Sequence, residues 1–291
     1  MAATRDSWAE WLAERRFGGN ADVKREFIEK LEQRRDDVLD RSGLTEGESL
    51  LDVGCGEGLI GFGALERGAG SVIFSDISQP LLTFCREAAE SLGVLERCRF
   101  VVASADDLSA FDSESVDVVT TRSVLIYIEN KQAAFEEFFR VLRPGGRISL
   151  YEPINSFAYP EPDTRFCGYD LTTLPEAVSK LRAVYDAIQP PKSDPMLNFD
   201  ERDLIRLCEE SGFFPVNLLF HAEVTPHEPR PWQTFLNMAG NPKIPSVAEA
   251  MEQTLSAEER ELLAAHLRPL VERGDGVWRM GNAFLWATKP A

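Results

Sequence analysis

Apolar residues fall along this chain in two rhythms. Between residues 22 and 42 they recur every three or four positions, so that Val23, Phe27, Leu31, Val38 and Leu39 lie near one face of a helix that Gly43 stops. From residue 49 the pattern changes to short apolar runs alternating with helical stretches. The runs SLLDV (49–53), SVIFSD (71–76), CRFVVAS (98–104), VDVVTT (116–121) and RISLYE (147–152) read as strands. Residues 57–68, 79–92 and 131–142 read as helices between them, and RPGG (143–146) as a turn. Strands apolar on both faces, alternating with helices, predict an α/β fold: a doubly wound, mostly parallel sheet with helices on both faces. Such sheets bind ligands beyond the carboxyl ends of their strands.

After Glu152 the rhythm breaks. Residues 153–195 hold seven prolines and several aromatics, which predicts loop and irregular helix around a helical segment near 173–188. Residues 200–212 read as a helix stopped by Gly212, and 213–224 as a sixth strand interrupted by Pro215. Ser256 and Glu259 form a capping box that opens a helix over 256–274. A terminal strand over 277–289 completes a seven-stranded sheet. The organisation expected is an N-terminal helical lid at 1–42 and one sheet domain at 43–291, with cap elements at about 153–199 and 225–275.

Composition narrows the function classes. In 291 residues, 44% hydrophobic and 27% charged is ordinary for a soluble globular chain. Five cysteines, at 55, 85, 98, 167 and 208, form no CxxC pair and no disulfide framework, so a reducing, cytoplasmic location is expected. The longest apolar runs are strand-sized, and MAATRDSWAEWLAERR at the start lacks the apolar core of a secretory signal; neither membrane span nor leader is expected. The formal charge of 31 − 48 = −17 repels phosphate backbones and argues against nucleic acid as partner. The three histidines show no metal-ligand spacing, so no metal is expected. Oligomeric state is not legible.

The chemistry is carried by LLDVGCGEG, residues 50–58. Gly54, Gly56 and Gly58 follow a strand and lead into a helix, where missing Cβ atoms permit a tight turn and close approach of a ligand to the backbone. Asp52 lies at the strand's end, and Asp76, 24 residues later, ends the next strand, where a carboxylate can accept both hydroxyls of a ribose. Two cofactors fit. GEGLIG (56–61) matches the dinucleotide fingerprint and would make the chain an NAD-dependent oxidoreductase. The fuller pattern D-x-G-x-G-x-G at 52–58 resembles motif I of the class I S-adenosyl-L-methionine-dependent methyltransferases.

That resemblance continues along the chain. Asp76 resembles the family's ribose-binding acid, with Ile77 beside it. ASADDL (103–108) resembles the adenine-binding segment, which implies Ala105 and Asp106 as adenine contacts. VDVVTTRSVLIYI (116–128), FFRVLRPGGRISLYEP (138–153) and SGFFPV (211–216) resemble the fourth strand and its loop, the fifth strand with its turn, and the approach to the sixth. The match is continuous over roughly 43–153 and includes the last two strands. It implies a Rossmann-like fold, S-adenosyl-L-methionine as cofactor, and a cofactor-binding set of Asp52, Gly54, Cys55, Gly56, Gly58, Asp76, Ile77, Ala105, Asp106 and Arg122. A protein that binds the cofactor without catalysis, in a regulatory role, remains a third reading.

Methyl transfer by in-line displacement draws much of its rate from positioning, and needs a base only where the nucleophile must lose a proton. Glu152, ending the fifth strand, is the first candidate; His221 near the end of the sixth strand and Tyr127 in the loop after the fourth follow. Phe157, Tyr159, Phe166, Tyr169, Trp232, Phe235 and Trp278 enrich the cap in aromatics, and Trp8 and Trp11 do the same for the lid. A narrow, aromatic-rich site favours a small, partly apolar acceptor over a protein or folded RNA. The family includes oxygen, nitrogen and carbon methylators, and the fold does not distinguish them.

Overall fold

The computed structural model describes residues 6–291, without the side chains of residues 13, 23, 24 and 26–29; the expected face residues Val23 and Phe27 therefore lie outside the described side chains. Seven strands form one sheet: β1 (Ser49–Val53), β2 (Ser71–Asp76), β3 (Cys98–Val102), β4 (Val116–Arg122), β5 (Leu142–Pro153), β8 (Val216–Pro226) and β9 (Val277–Thr288). A two-residue ribbon, β6 (Arg165–Phe166) with β7 (Tyr169–Asp170), stands apart. The sheet order is β3-β2-β1-β4-β5-β9-β8. Strands β1 to β5 pair in parallel, and β9 enters antiparallel between β5 and β8. Order reverses between β1 and β4, the place where open α/β sheets bind ligands.

The helices are α1 (Ser7–Glu10, continued as a π-helical turn Trp11–Arg15), α2 (Ala21–Ser42), α3 (Leu59–Glu66), α4 (Gln79–Ser91), α5 (Lys131–Val141), α6 (Pro175–Ile188), α7 (Glu201–Glu210), α8 (Trp232–Asn237), α9 (Val247–Thr254) and α10 (Ala257–Arg273). Their starts carry the chemistry that satisfies orphan backbone N–H groups. Asn130 caps α5, and capping boxes open α7 (Asp200, Asp203), α9 (Ser246, Glu249) and α10 (Ser256, Glu259).

Alternation along each strand divides the apolar residues between two faces. Leu51, Val119, Leu125, Phe135 and Phe138 form one core under α5 and α7. Leu50, Val72, Phe74 and Val118 form the other, closed by Val38 and Leu39 of α2 and by α3 and α4. A third core, including Phe166, Tyr169, Val178, Phe235, Met251 and Leu263, unites both cap stretches.

Three expectations need correction. The lid does not extend to residue 42: Val38 and Leu39 are buried in the sheet's core, and the Ser149 hydroxyl donates to the Val38 carbonyl at 2.7 Å, so the second half of α2 belongs to the sheet's covering layer. RPGG is a bulge inside β5, with register jumping from Val116↔Leu142 to Val118↔Arg147. The sixth strand begins after Pro215, whose ring removes the N–H a strand needs.

Candidate functional site

The glycine loop leaves β1 at Val53 and wraps the carboxyl end of the sheet. Gly54 has a φ of +66°, and a Cβ there would lie 2.3 Å from Cγ2 of Val124, so the loop after β4 packs against a bare backbone. Gly56, at φ +54°, has nothing within 4 Å of where its Cβ would stand, and that side is open to a ligand. Its N–H donates to Oδ2 of Asp76 at 2.9 Å, while Ser78 N–H donates to Oδ1 at 2.9 Å. Asp76 is thereby fixed at the end of β2, 7% exposed, with burial raising its pKa. Ile77 beside it is 54% exposed, an apolar shelf at the sheet's edge.

Asp52 and Cys55 sit differently from the expectation that both contact the cofactor. Asp52 accepts from Gly61 N–H at 3.0 Å and from the Thr120 hydroxyl at 3.3 Å. Both oxygens are engaged inside the fold, tying the start of α3 to β1 and β4, and burial pushes the carboxyl up to about 7. Cys55 is buried, its N–H donating to Ser75 O at 2.9 Å. A hydrogen bond with Cys85, and burial after it, hold its thiol well above the ordinary range, which marks a packing residue. After β3, Ala105 is buried and Asp106 accepts from the Ser104 hydroxyl. Asp107 is exposed and accepts from Ser109 N–H at 3.1 Å, whereas Asp106 is half-buried.

Glu152 lies where expected, at the end of β5, but in an unexpected setting. It is 0% exposed. Oε1 accepts from the Thr121 hydroxyl at 3.2 Å, Val124 N–H at 3.0 Å and Leu125 N–H at 3.1 Å, and Oε2 from Ile126 N–H at 3.3 Å. The chain reaches this arrangement through Ser123, a non-glycine residue at φ +58°. Burial pushes the carboxyl up to about 7 against those four donors. The side chain holds the turn after β4 together, and a substrate cannot reach it without displacing that turn. His221 lies exposed on the edge strand β8, with Nε2 3.5 Å from Glu223, and no described contact joins it to Glu152 or Tyr127.

Tyr127 is half-buried against the core beside the turn after β4. Trp8 of the lid stands edge-on to it, ring centroids 4.7 Å apart, and burial pushes the phenol up to about 12, so it stays protonated and able to donate. The lid is anchored to the cap: Trp11 Nε1 donates to Ala239 O at 2.9 Å, Asn20 Nδ2 to Thr234 Oγ1 at 3.2 Å, and Arg15 pairs with Glu249 at 2.6 Å. Sequence reasoning named Arg122 but not Arg34, whose guanidinium stands 5.3 Å from the centre of the Tyr151 ring, on the residue that pairs with Arg122 in the sheet. Arg34 is four residues before Val38 on the apolar face of α2, a cation out of place in that pattern and the one signal available.

A Rossmann-like sheet with a glycine loop after β1 and an acid ending β2 that grips that loop is the arrangement in which doubly wound folds hold nucleoside cofactors. Residues 51–150 match the methyltransferase domain family. The ubiquinone/menaquinone biosynthesis C-methyltransferase UbiE of Citrobacter koseri is 28% identical over 185 residues, 62% of this chain and 72% of the relative, and that of Salmonella paratyphi B matches equally. Among solved structures, geranyl diphosphate methyltransferase in complex with SAM superposes with a TM-score of 0.54 at 18% identity, covering 96% of this chain and 94% of that one. The cyclase SpnF gives 0.51 at 20% identity over 89% and 81%. Over residues 51–150 the chain is similar to the methyltransferase domain family, and together with the UbiE relatives this supports an S-adenosylmethionine-dependent methyltransferase of small-molecule type. These matches do not favour the dinucleotide reading of GEGLIG. Among the described residues no helix is long and apolar enough to cross a membrane.

Proposed function

We propose that the site takes adenosylmethionine across Gly54–Gly58, with Asp76 on the ribose hydroxyls, Ile77, Ala105 and Asp106 around the adenine, and Arg122 toward the amino-acid end. The observation that carries this reading is the clasp of Gly56 N–H on Asp76 beside an open backbone. Asp76 keeps lone pairs beyond the two backbone bonds, and the bare side of Gly56 leaves room for a ligand against the loop. When bound, adenosylmethionine supplies an electrophilic methyl group. This chain's own residues bind, orient and exclude water: the lid closes over the cleft through Trp8 and Trp11, and Tyr127 donates a hydrogen bond to the acceptor.

The acceptor in this reading is a small, partly apolar metabolite. Glu152 acts as a positioning residue, because its oxygens are already held by four protein donors. His221 stands too exposed on the edge strand to serve as the base. Without a poised carboxylate or imidazole, the site suits a nucleophile already activated by its own electronic structure, and the carbon chemistry in the name of the UbiE relatives supports an activated carbon. The five free cysteines fit a reducing, cytoplasmic setting.

Thermal unfolding and calorimetry test the cofactor assignment. S-adenosylhomocysteine should raise the melting temperature and bind with micromolar affinity, whereas NAD should do neither. Stabilisation by NAD alone would overturn the reading. Incubation with adenosylmethionine and a metabolite extract should then yield products heavier by about 14 mass units.

A further inference from the structure

Strand β8 ends the sheet, and among the described residues it pairs only with β9. That pairing fixes which of its backbone groups are spare. The Thr288 N–H donates to the Pro215 carbonyl at 3.3 Å, and the His227 N–H donates to the Gly276 carbonyl at 3.1 Å. Both bonds fit the register that runs from Val216↔Ala287 to Pro226↔Val277. Bonded and non-bonded pairs alternate along an antiparallel ladder, so the odd-numbered residues of β8 bond to β9. Val216, Leu218, Phe220, Ala222 and Val224 therefore turn their N–H and C=O groups to the free edge. From 216 to 225 the sequence VNLLFHAEVT holds no proline and no lysine, the residues that commonly blunt an exposed edge. The opposite edge strand, β3, is only five residues long and carries an exposed Arg99.

We propose that a second copy of this chain pairs along the free edge of β8, antiparallel, about a twofold axis through Ala222. A symmetric pair needs a self-complementary edge, and this register supplies one. On the odd-numbered face His221 falls opposite the copy's Glu223, and Glu223 opposite the copy's His221. The two side chains share that face: Nε2 of His221 lies 3.5 Å from Oε1 of Glu223 within one chain. An imidazole N–H thus meets a carboxylate at a non-hydrogen-bonded position, where opposed side chains come closest. On the even-numbered face Phe220 falls opposite Val224, apolar against apolar, and the small Ala222 meets itself at the axis. Those three residues exchange main-chain hydrogen bonds with the copy. The neighbouring registers lose the match: an axis through His221 opposes two imidazoles, and one through Glu223 opposes two carboxylates. VNLLFHAEVT also carries a single acidic residue in a chain of net charge −17, so repulsion between copies is weakest along such an edge. Leu219 and Val224, both exposed in the single chain, gain cover.

This inference is independent of the methyltransferase reading. Sedimentation velocity of the full-length protein tests it. The natural chain should sediment as a dimer at about 100 μM and dissociate on dilution, as a micromolar equilibrium does. Hydrogen exchange at the amides of Phe220, Ala222 and Val224 should slow at the higher concentration. Ala222→Pro removes an N–H that the single chain leaves unused, and should give a monomer at every concentration. His221→Glu sets two carboxylates opposite each other at both symmetry-related positions and should weaken association by about tenfold or more; adding Glu223→His exchanges the pair and should restore it. A monomer at about 100 μM overturns the proposal. So does a dimer that survives Ala222→Pro, ignores His221→Glu or slows exchange elsewhere but not at those three amides. Should Ala222→Pro fail to fold, the charge exchange and the amide protection decide without it.

Discussion

Replacing Glu152 by Gln separates a positioning role from a catalytic one. In the folded chain the carboxyl protonates near pH 7, against an ordinary value of 4.5, because burial outweighs its four hydrogen-bond donors. An acid whose pKa rises on folding contributes stability that is fully present below its unfolded pKa and is lost as pH climbs through the folded one. The window therefore runs from about 4.5 to 7, and its depth, at about 1.4 kcal/mol per pH unit, is roughly 3 kcal/mol. Glutamine does not titrate. Its carbonyl takes over the three donors on Oε1, and its amide group confronts the Ile126 N–H on the Oε2 side, donor against donor, at a cost of about 1–3 kcal/mol. Urea unfolding of both proteins at intervals from pH 4.5 to 8 reads the difference directly, and Asp52, which titrates in both, cancels. The stability of the natural protein relative to Glu152→Gln should fall by about 3 kcal/mol across that range. A flat difference would refute the buried setting. Once an acceptor is known, a fall of about 10²–10⁴-fold in turnover, with stability and S-adenosylhomocysteine affinity unchanged, would make Glu152 the base after all.

Three further outcomes follow from the same geometry. Asp76→Ala should lower S-adenosylhomocysteine affinity at least tenfold by calorimetry, since two charge-assisted bonds of about 1.5–3 kcal/mol each are lost; unchanged affinity would remove Asp76 from the site. Gly54→Ala should unfold at lower temperature than Gly56→Ala, because a methyl at 54 meets Val124 at 2.3 Å while one at 56 meets nothing within 4 Å. Both share a left-handed backbone cost of about 1–2 kcal/mol, so equal melting points would mean that the Val124 contact does not constrain the loop. Trp8→Ala removes an edge-to-face pair worth about 0.5–1.5 kcal/mol and should speed S-adenosylhomocysteine release in stopped-flow measurements, with little change in melting temperature. An unchanged release rate would show that the lid does not gate the cleft.

The parts legible in the sequence were those with local causes. SLLDV and SVIFSD are strands to the residue, because each is apolar on both faces and bounded by turn formers. The Ser256 capping box is a four-residue signal and appears as read. What escaped depends on partners far along the chain. The apolar face of α2 shows that something covers it, but periodicity alone cannot say whether that is a cleft or a sheet. The ribbon of β6 and β7 has two residues per strand, too few to show alternation, and rests on a cap core assembled from both insertions. Glu152 could be placed at a strand end, yet its donors lie 26 to 31 residues upstream. The likeness in fold to SpnF, a cyclase, shows why the site rather than the sheet has to carry the functional argument.

The placement of β9 between β5 and β8 has a consequence for how the chain is made. A ribosome delivers β1 to β5 in an order that lets them pair as they emerge, but the right-hand side of the sheet must wait. Among the described residues strand β8 pairs only with β9, and β5 keeps an open edge until β9 arrives, after the whole cap has been synthesised. During that interval two strand edges, one bearing Leu219 and Val224 that stay exposed even in the finished fold, are open to other chains. A premature stop or protease cut upstream of Val277 removes one strand but orphans two edges. The expected product is an aggregate rather than a smaller enzyme, and chaperone demand should peak late in translation.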